Sequence, residues 1–373
     1  MIKVAFFHAY PHQYAGAQRV THTLADRLRR RGMDTVVITP DDGPFVQRLA
    51  ADGIDTEIVL APPPWRHYGR ALEGSLMVPA LAALPAYSLK LATALRRCGV
   101  SVLHCNDHRG ILLGGGAGRM ARLPVVWHLH DAYGPAPLTA LGARLATHIV
   151  ANSLDTRDQL PVLRFAREPA RIIYNGVDSP AELPAPSGTV ATALCGARIH
   201  PNKGIDTLVR AASELASSAP DLQILVAGHV QAGSEEYWKR VQELQHSLGD
   251  TNIRFLGHVP DSDALWRQAD VYVQPSLVEP FGLGALEAMA IGRPVVASRV
   301  GGLRELVEDG RTGILVSPGD SASLARALAE LVRDPARAKE LGQAAAARAR
   351  EKFNLEGTVD AFAALYREAV GRA

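Results

Sequence analysis

The sequence predicts an α/β protein of two doubly wound, Rossmann-like domains in tandem, and three observations carry that reading. Short runs rich in Val and Ile alternate with segments at helical spacing almost from end to end; continuous apolar strands separated by helices belong in a parallel sheet covered on both faces. The alternation breaks once, in a stretch rich in Pro, Ser and Ala, and then restarts. At 373 residues the chain also exceeds the size at which one hydrophobic core keeps growing.

In chain order, the first domain is expected over residues 1–175, with strands at 2–7, 35–39, 100–104, 125–130 and 148–151. Segments 17–31 and 111–122 lie between them at helical spacing. The opening apolar run is too short for a signal peptide and reads as the first strand. The most lipid-like stretch, 78–95, is broken by Pro85 and Lys90, so it does not span a bilayer. It reads as a helix packed over the core, with a helix lying on a membrane surface as the other reading. Residues 176–191 are expected to be a linker. The second domain, 192–354, carries runs at 193–196, 223–227, 253–256, 271–274, 294–297 and 313–316. A last helix is expected over 355–373, with Val359, Phe362, Leu365, Tyr366 and Val370 on one face.

Composition excludes several classes. Hydrophobic content of 47% with 21% charge describes a globular chain rather than a disordered or membrane one. The three cysteines, Cys98, Cys105 and Cys195, contain no C-x-x-C pair, which argues for a reducing compartment and against both a disulfide framework and a zinc site. A cytoplasmic location, including the inner face of the cell membrane, is therefore expected. The net charge of +2 hides a division: residues 1–170 carry 19 Lys and Arg against 13 Asp and Glu, the remainder 21 against 25. A basic first half suits an anionic surface such as lipid phosphate, and equally suits harmless scatter. No basic stripe interleaves with aromatics, so a nucleic-acid partner is not expected.

The chemistry concentrates in residues 276–303, S-L-V-E-P-F-G-L-G-A-L-E-A-M-A-I-G-R-P-V-V-A-S-R-V-G-G-L. A glycine-bearing loop, a short helix and a buried strand make a phosphate-site pattern, because glycine admits a close ligand and the first helical amides suit an anion. Glu279 and Glu287 flank the loop with seven residues between them. Two carboxylates repel a diphosphate but accept hydrogen bonds from sugar hydroxyls. A diphosphate between two hydroxyl-bearing rings describes a nucleotide sugar. Upstream, L-C-G-A-R-I-H-P-N-K-G places Arg198 and Lys203 on a loop after a strand, where open α/β sheets bind ligands. In the first domain Gly16 follows the first strand, either to approach a phosphate or as an ordinary turn residue. His128 and His130 alternate onto one face of their strand, without a third ligand at metal spacing.

The 276–303 stretch resembles the family-four retaining glycosyltransferases, whose signature is E-x7-E within E-P-F-G-x-x-x-L-E-A-M-A-x-G-x-P-V-V-A-S followed by G-G. The likeness runs nearly unbroken across some two dozen residues. It implies the GT-B architecture: two Rossmann-like domains facing a central cleft, with the C-terminal helix crossing back to the first. It also implies a retaining, metal-independent sugar transfer from a nucleotide-diphosphate sugar, with no cofactor. By this resemblance Glu279 and His130 position the sugar and Glu287 takes the ribose. Arg198 and Lys203 hold the diphosphate, beside Phe281, Gly282 and Leu283. Val259 lies near the base, and Gly16 approaches from the first domain, where the family has two glycines and this chain has Ala15-Gly16. His130 has a second reading as a histidine satisfied within the fold.

Two further patterns carry less. Asp261-Ser262-Asp263 matches the D-x-D of metal-dependent transferases of another fold, but reads better as a helix cap. Gly114 to Gly118 lacks G-x-G-x-x-G spacing, and helix packing is the simpler reading. The acceptor is left open between a small sugar, a lipid-linked glycan and a natural product. The aromatic and basic residues 62–70 are its expected contact. A nucleotide-sugar epimerase and a non-catalytic sugar-nucleotide-binding subunit are the alternatives.

Overall fold

The computed structural model describes residues 1–66, 77–132, 134, 136–184, 188–249, 251–259 and 263–372. These form two units: residues 1–175 with 357–373, and residues 176–356. The first is built on seven parallel strands: β1 (Lys3–Phe7), β2 (Asp34–Thr39), β3 (Thr56–Ile58), β4 (Val102–Asn106), β5 (Val125–Leu129), β6 (His148–Ala151) and β7 (Arg171–Ile172). Their order is β3-β2-β1-β4-β5-β6-β7. The winding reverses between β1 and β4, which is where such sheets open a crevice beyond the strand ends. Phe7 lies level with Ile38 and Cys105, so His8 and Asn106 emerge together at that edge.

The second unit repeats the plan with β8 (Thr192–Gly196), β9 (Gln223–Ala227), β10 (Ile253–Gly257), β11 (Val271–Gln274), β12 (Val295–Ser298) and β13 (Gly313–Val316). The order β10-β9-β8-β11-β12-β13 puts its reversal between β8 and β11. The central strands β11 and β12 are buried throughout, as near-continuous Val-rich runs require in a sheet covered on both faces.

The structure departs from expectation where side chains carry little pattern. Strands β3 and β7 are three and two residues long, T-E-I and R-I, too short to show periodicity. The helix expected from 111 runs Asp107–Met120, because the chain turns from β4 into it directly, with Asp107 at φ +60°. Its glycines lie along the helix: a Cβ on Gly114 would stand 2.8 Å from Cys105 Sγ, and one on Gly118 2.5 Å from Val125 Cγ2. Tight packing on β4 and β5 accounts for them.

The lipid-like stretch becomes two helices, Met77–Ala82 and Leu84–Arg97, with Pro85 in the first turn of the second. Tyr87, Leu91 and Leu95 turn into the core. Among the described residues no helix is long and apolar enough to cross a membrane. The expected linker 176–191 is counted with the second unit, where Val177 bridges to Asn354 and Val190 is buried. The final helix, Leu355–Gly371, contributes residues 357–371 to the first unit. There Tyr366 shares a 2.6 Å hydrogen bond with His104 Nδ1, and Arg171 grips Glu368 through two bonds of 2.6 and 2.7 Å.

Candidate active site

At the β8/β11 reversal three polar groups converge on one carboxylate oxygen. Glu279 Oε2 accepts from Lys203 Nζ at 2.7 Å, from Ser276 Oγ at 3.2 Å, and from Gln274 Nε2. Glu279 is only 8% exposed, and burying a carboxylate that deep is costly without such partners. The three bonds leave Oε1 out of the arrangement. Lys203 comes from the loop after β8, Gln274 is the last residue of β11, and Ser276 and Glu279 follow it, so the strand ends themselves assemble the group.

The loop beyond Glu279 is held by close backbone approach. Gly282, at φ +105°, starts the helix Leu283–Ala290 from a left-handed conformation that suits glycine. Gly302 donates its N–H to Glu279 O at 3.0 Å, and a Cβ there would meet Phe281 Cα at 2.5 Å and Pro280 O at 2.6 Å. Phe281, expected beside the donor, turns its ring into the core, 6.3 Å from Phe353 in an edge-to-face pair, and leaves its backbone on the loop. Leu283 and Glu287 are half-buried on the short helix, whose first turn contains Gly284. A Cβ on Gly284 would stand 2.2 Å from Tyr272 Oη, and that phenol donates to Gly196 O at 3.1 Å. Burial, then Cys195, Glu287 and Glu279, push the Tyr272 hydroxyl far above its ordinary pKa, so it remains a donor.

Around this core lies a basic edge. Arg198 is half-buried on the loop after β8. His200, on the same loop, accepts from Asn202 N at 3.1 Å through Nδ1. His229, just past β9, stacks edge-on to His258, just past β10, with ring centroids 6.2 Å apart. Partial burial and then the Arg198 charge lower the pKa of both His200 and His229. Val259 is half-buried next to His258. The second unit thus places Arg198 and Lys203 on the loop after β8, and Glu279, Gly282, Leu283 and Glu287 on the loop and helix after β11, its neighbour in the sheet.

In the first unit Gly16 begins the helix Gly16–Arg30, half-buried, with Gln18 Oε1 accepting the Ala15 N–H at 3.2 Å. His130 stands just past β5. Its Nε2 donates to Asn106 Oδ1 at 3.0 Å and its carbonyl accepts from Asn152 Nδ2 at 3.0 Å. Its ring lies 4.0 Å from that of His128, centroid to centroid. Burial lowers the His130 pKa to about 4, so the imidazole is neutral and its other nitrogen, Nδ1, is an acceptor. Burial likewise brings His8 and His104 to about 3 and His108 to about 4, with His130 adding to the effect on the first two. Asp107, whose Oδ1 accepts the His130 N–H at 3.3 Å, is pushed up to about 7 by burial.

Sequence reasoning missed Gln274, Ser276, Asn106 and Asp107. Their signal was position: each sits at or next to the end of a strand flanking a winding reversal. Among the described residues no group of three or more His, Cys, Asp or Glu could hold a metal ion. Of the D-x-D pattern, residues 261 and 262 lie outside the described residues, and a helix starts at Asp263. Of the expected acceptor stretch 62–70, residues 67–70 lie outside as well.

Comparison with known proteins agrees with this geometry. A family model described as glycosyl transferases group 1 matches residues 184–348, and one described as Glycosyltransferase Family 4 matches residues 14–179. A D-inositol 3-phosphate glycosyltransferase of Acidothermus cellulolyticus is 32% identical, the match covering 93% of this chain and 84% of that protein. The lipopolysaccharide core biosynthesis mannosyltransferase LpcC of Rhizobium leguminosarum bv. viciae is 36% identical across 56% of this chain, and the match takes in 62% of its own length. A glycogen synthase of Mycobacterium tuberculosis is 35% identical across 52% of this chain and 47% of its own. The chain therefore spans only about half to three-fifths of those two relatives. Among solved structures, HepE of Anabaena in complex with UDP-glucose superposes with a TM-score of 0.82 at 25% identity, covering 99% of this chain and 100% of that one. Sucrose-phosphate synthase from Thermosynechococcus elongatus shares the fold, with a TM-score of 0.79 at 24% identity over the whole of both chains.

Proposed function

We infer the reaction from one premise: the chain belongs to glycosyltransferase family 4, and is a glycosyltransferase with two Rossmann-like units of the GT-B fold. It moves a hexosyl group from a nucleoside-diphosphate sugar to an acceptor hydroxyl, with retention at the anomeric carbon and without a metal. The observation that carries this is the Glu279 carboxylate fixed through one oxygen by Lys203, Gln274 and Ser276 beside the glycine-started helix.

Each residue then has a role. Lys203, Arg198 and the first amides of the helix Leu283–Ala290 take the diphosphate, whose negative charge grows as its bond to the sugar breaks. Glu287 accepts from the ribose hydroxyls. Glu279 Oε1 and the neutral Nδ1 of His130 accept from hydroxyls of the transferred sugar, which orients C1. Val259 and the backbone about it lie beside the base. The UDP-glucose complex of HepE supports uracil as that base. In the transfer the C1–O bond to the β-phosphate breaks and a bond from the acceptor oxygen to C1 forms on the same face. The acceptor proton passes to the departing phosphate oxygen. Trapping a glycosylated Glu279 would overturn that route.

The acceptor is a sugar-like or lipid-linked hydroxyl compound met by the first unit. Three free cysteines, two of them buried, fit a cytoplasmic enzyme.

The test is thermal stabilisation by UDP, GDP, ADP and dTDP, each with and without EDTA. A ligand at a hundredfold its Kd adds about 2.7 kcal/mol to the folded state. One nucleotide is expected to raise the Tm, indifferent to EDTA, with the rise abolished in Lys203→Ala. No rise with any of the four refutes the donor site, and loss of the rise in EDTA refutes the metal-free reading. Consumption of the sugar nucleotide without any acceptor would identify an epimerase instead.

A further inference from the structure

The stretch of lowest acidity in the chain forms an exposed face on the first unit, remote in sequence from every residue given a role above except His130. Between Glu73 and Asp131 the sequence contains six cations and a single carboxylate, Asp107, which is buried. Five of those cations, Lys90, Arg96, Arg97, Arg119 and Arg122, are exposed. Glu57, at the end of β3, pairs with Arg97 on this face, and the excess of cations over it still departs from the alternation of signs that keeps an ordinary surface soluble.

The five come together because two helices pack side by side. Helix Leu84–Arg97 turns Tyr87, Leu91 and Leu95 inward and leaves Leu89, Lys90, Thr93, Arg96 and Arg97 along its outer stripe. Arg96 reaches the Met120 carbonyl at the end of helix Asp107–Met120, which brings Arg119 and Arg122 alongside. On the other flank Lys90 Nζ reaches the Leu60 carbonyl at 3.4 Å, and Arg97 pairs with Glu57. Lys90 and Arg96 are thus tied to neutral carbonyls, which fix their position and leave their charge uncompensated.

Between the cations stand large apolar side chains that folding did not use. Leu89 is 55% exposed, and Leu60 and Met120 are each 43% exposed. Single exposed apolar residues are ordinary, but three set among five cations make one amphipathic face. Basic side chains around protruding Leu and Met match a bilayer with anionic headgroups, which draws the cations while its acyl boundary takes the apolar tips. A nucleic-acid duplex would satisfy the charge and leave the leucines in water.

We propose that the outer face of helix Leu84–Arg97, with the ends of β3 and of helix Asp107–Met120, is a docking surface for an anionic lipid bilayer. It holds the enzyme peripherally, by headgroup attraction with shallow insertion of Leu89, and uses no residue of the donor site. Its test therefore stands or falls separately from the transfer reaction.

The full chain is sedimented with vesicles of phosphatidylcholine alone and with vesicles containing about 30% phosphatidylglycerol, at low and high salt. Binding is expected to the anionic vesicles only and to weaken with salt. The double substitution Arg96→Glu with Arg97→Glu is expected to weaken it at least about tenfold, since each basic side chain near such a surface contributes to attraction. Leu89→Ser, which leaves the charge unchanged, should weaken vesicle binding with the positive charges in place, and the melting curve of each variant checks folding. Binding equal on neutral vesicles, an unchanged double variant, or no binding at low salt overturns the proposal. So does binding to duplex DNA that Leu89→Ser leaves untouched, which would assign the face to a nucleic acid.

Discussion

The two units place opposite chemistries at the same topological position. Where the winding reverses in the second unit, the strand ends present formal charge: Lys203 against Glu279, Arg198 near His200 and His229, and Glu287 on the short helix. The first unit instead gathers uncharged imidazoles near its reversal, His8 and His130 just past β1 and β5 and His104 and His128 buried within β4 and β5, with Asp107 raised to about 7. One sheet plan therefore offers either an electrostatic grip or a neutral, hydrogen-bonding rim, depending on which side chains follow the strands.

Acid should expose the contrast most strongly. The imidazoles of the first unit titrate below the unfolded value of about 6.5, so the unfolded chain binds more protons across the interval from 6.5 to about 3. Their stability is complete above 6.5 and is lost as pH falls through that window, by roughly 1.4 kcal/mol for each unit of depression. Asp107 works the other way, because its raised pKa makes it contribute most in acid, and it offsets only part of the loss. Hydrogen exchange followed from pH 7 to pH 4 should show the first unit opening before the second. Simultaneous opening, or the second unit leading, would remove the distinction.

A smaller effect is expected from Gly302→Ala in the second unit. The added methyl meets only backbone atoms of Pro280 and Phe281, so the loop carrying Glu279 must move. A cost of about 2 kcal/mol and a fall in nucleotide affinity should follow, read by calorimetry. Unchanged affinity would mean that the loop can shift without disturbing the charged edge.

The smallest is Tyr366→Phe in the first unit, which leaves His104 Nδ1 buried without its 2.6 Å partner. Denaturant unfolding should report a loss of about 1 kcal/mol, with nucleotide affinity unaltered. A change in nucleotide affinity instead would join two networks that the comparison keeps apart.

How much of this was legible beforehand differs between the units for the same physical reason. In the second, Glu279, Arg198 and Lys203 are charged residues in glycine-bearing loops and Glu287 stands on the glycine-started helix, where composition and spacing are conspicuous, and strands β9, β11 and β13 were bounded as expected. The packing of the Phe281 ring against Phe353 was not legible, because it joins residues some 70 positions apart. In the first unit, Asn106 and Asp107 act through burial and through contacts with residues some 20 positions away, which no local pattern records. The positive φ of Asp107 is likewise invisible in a sequence where nothing but glycine announces it. Strands β3 and β7 escaped because an edge strand of two or three residues needs only backbone pairing.

The final helix carries a consequence for biosynthesis. Because residues 357–371 complete the first unit, that unit encloses the second in chain order. On the ribosome residues 176–356 emerge whole and can fold at once, while the first unit waits for Phe362 and Tyr366 to cover His104 and His128. The part synthesised first is finished last. Until then all seven strands of the first unit are available but His104 and His128 lie uncovered on their sheet, open to solvent, chaperones and proteases.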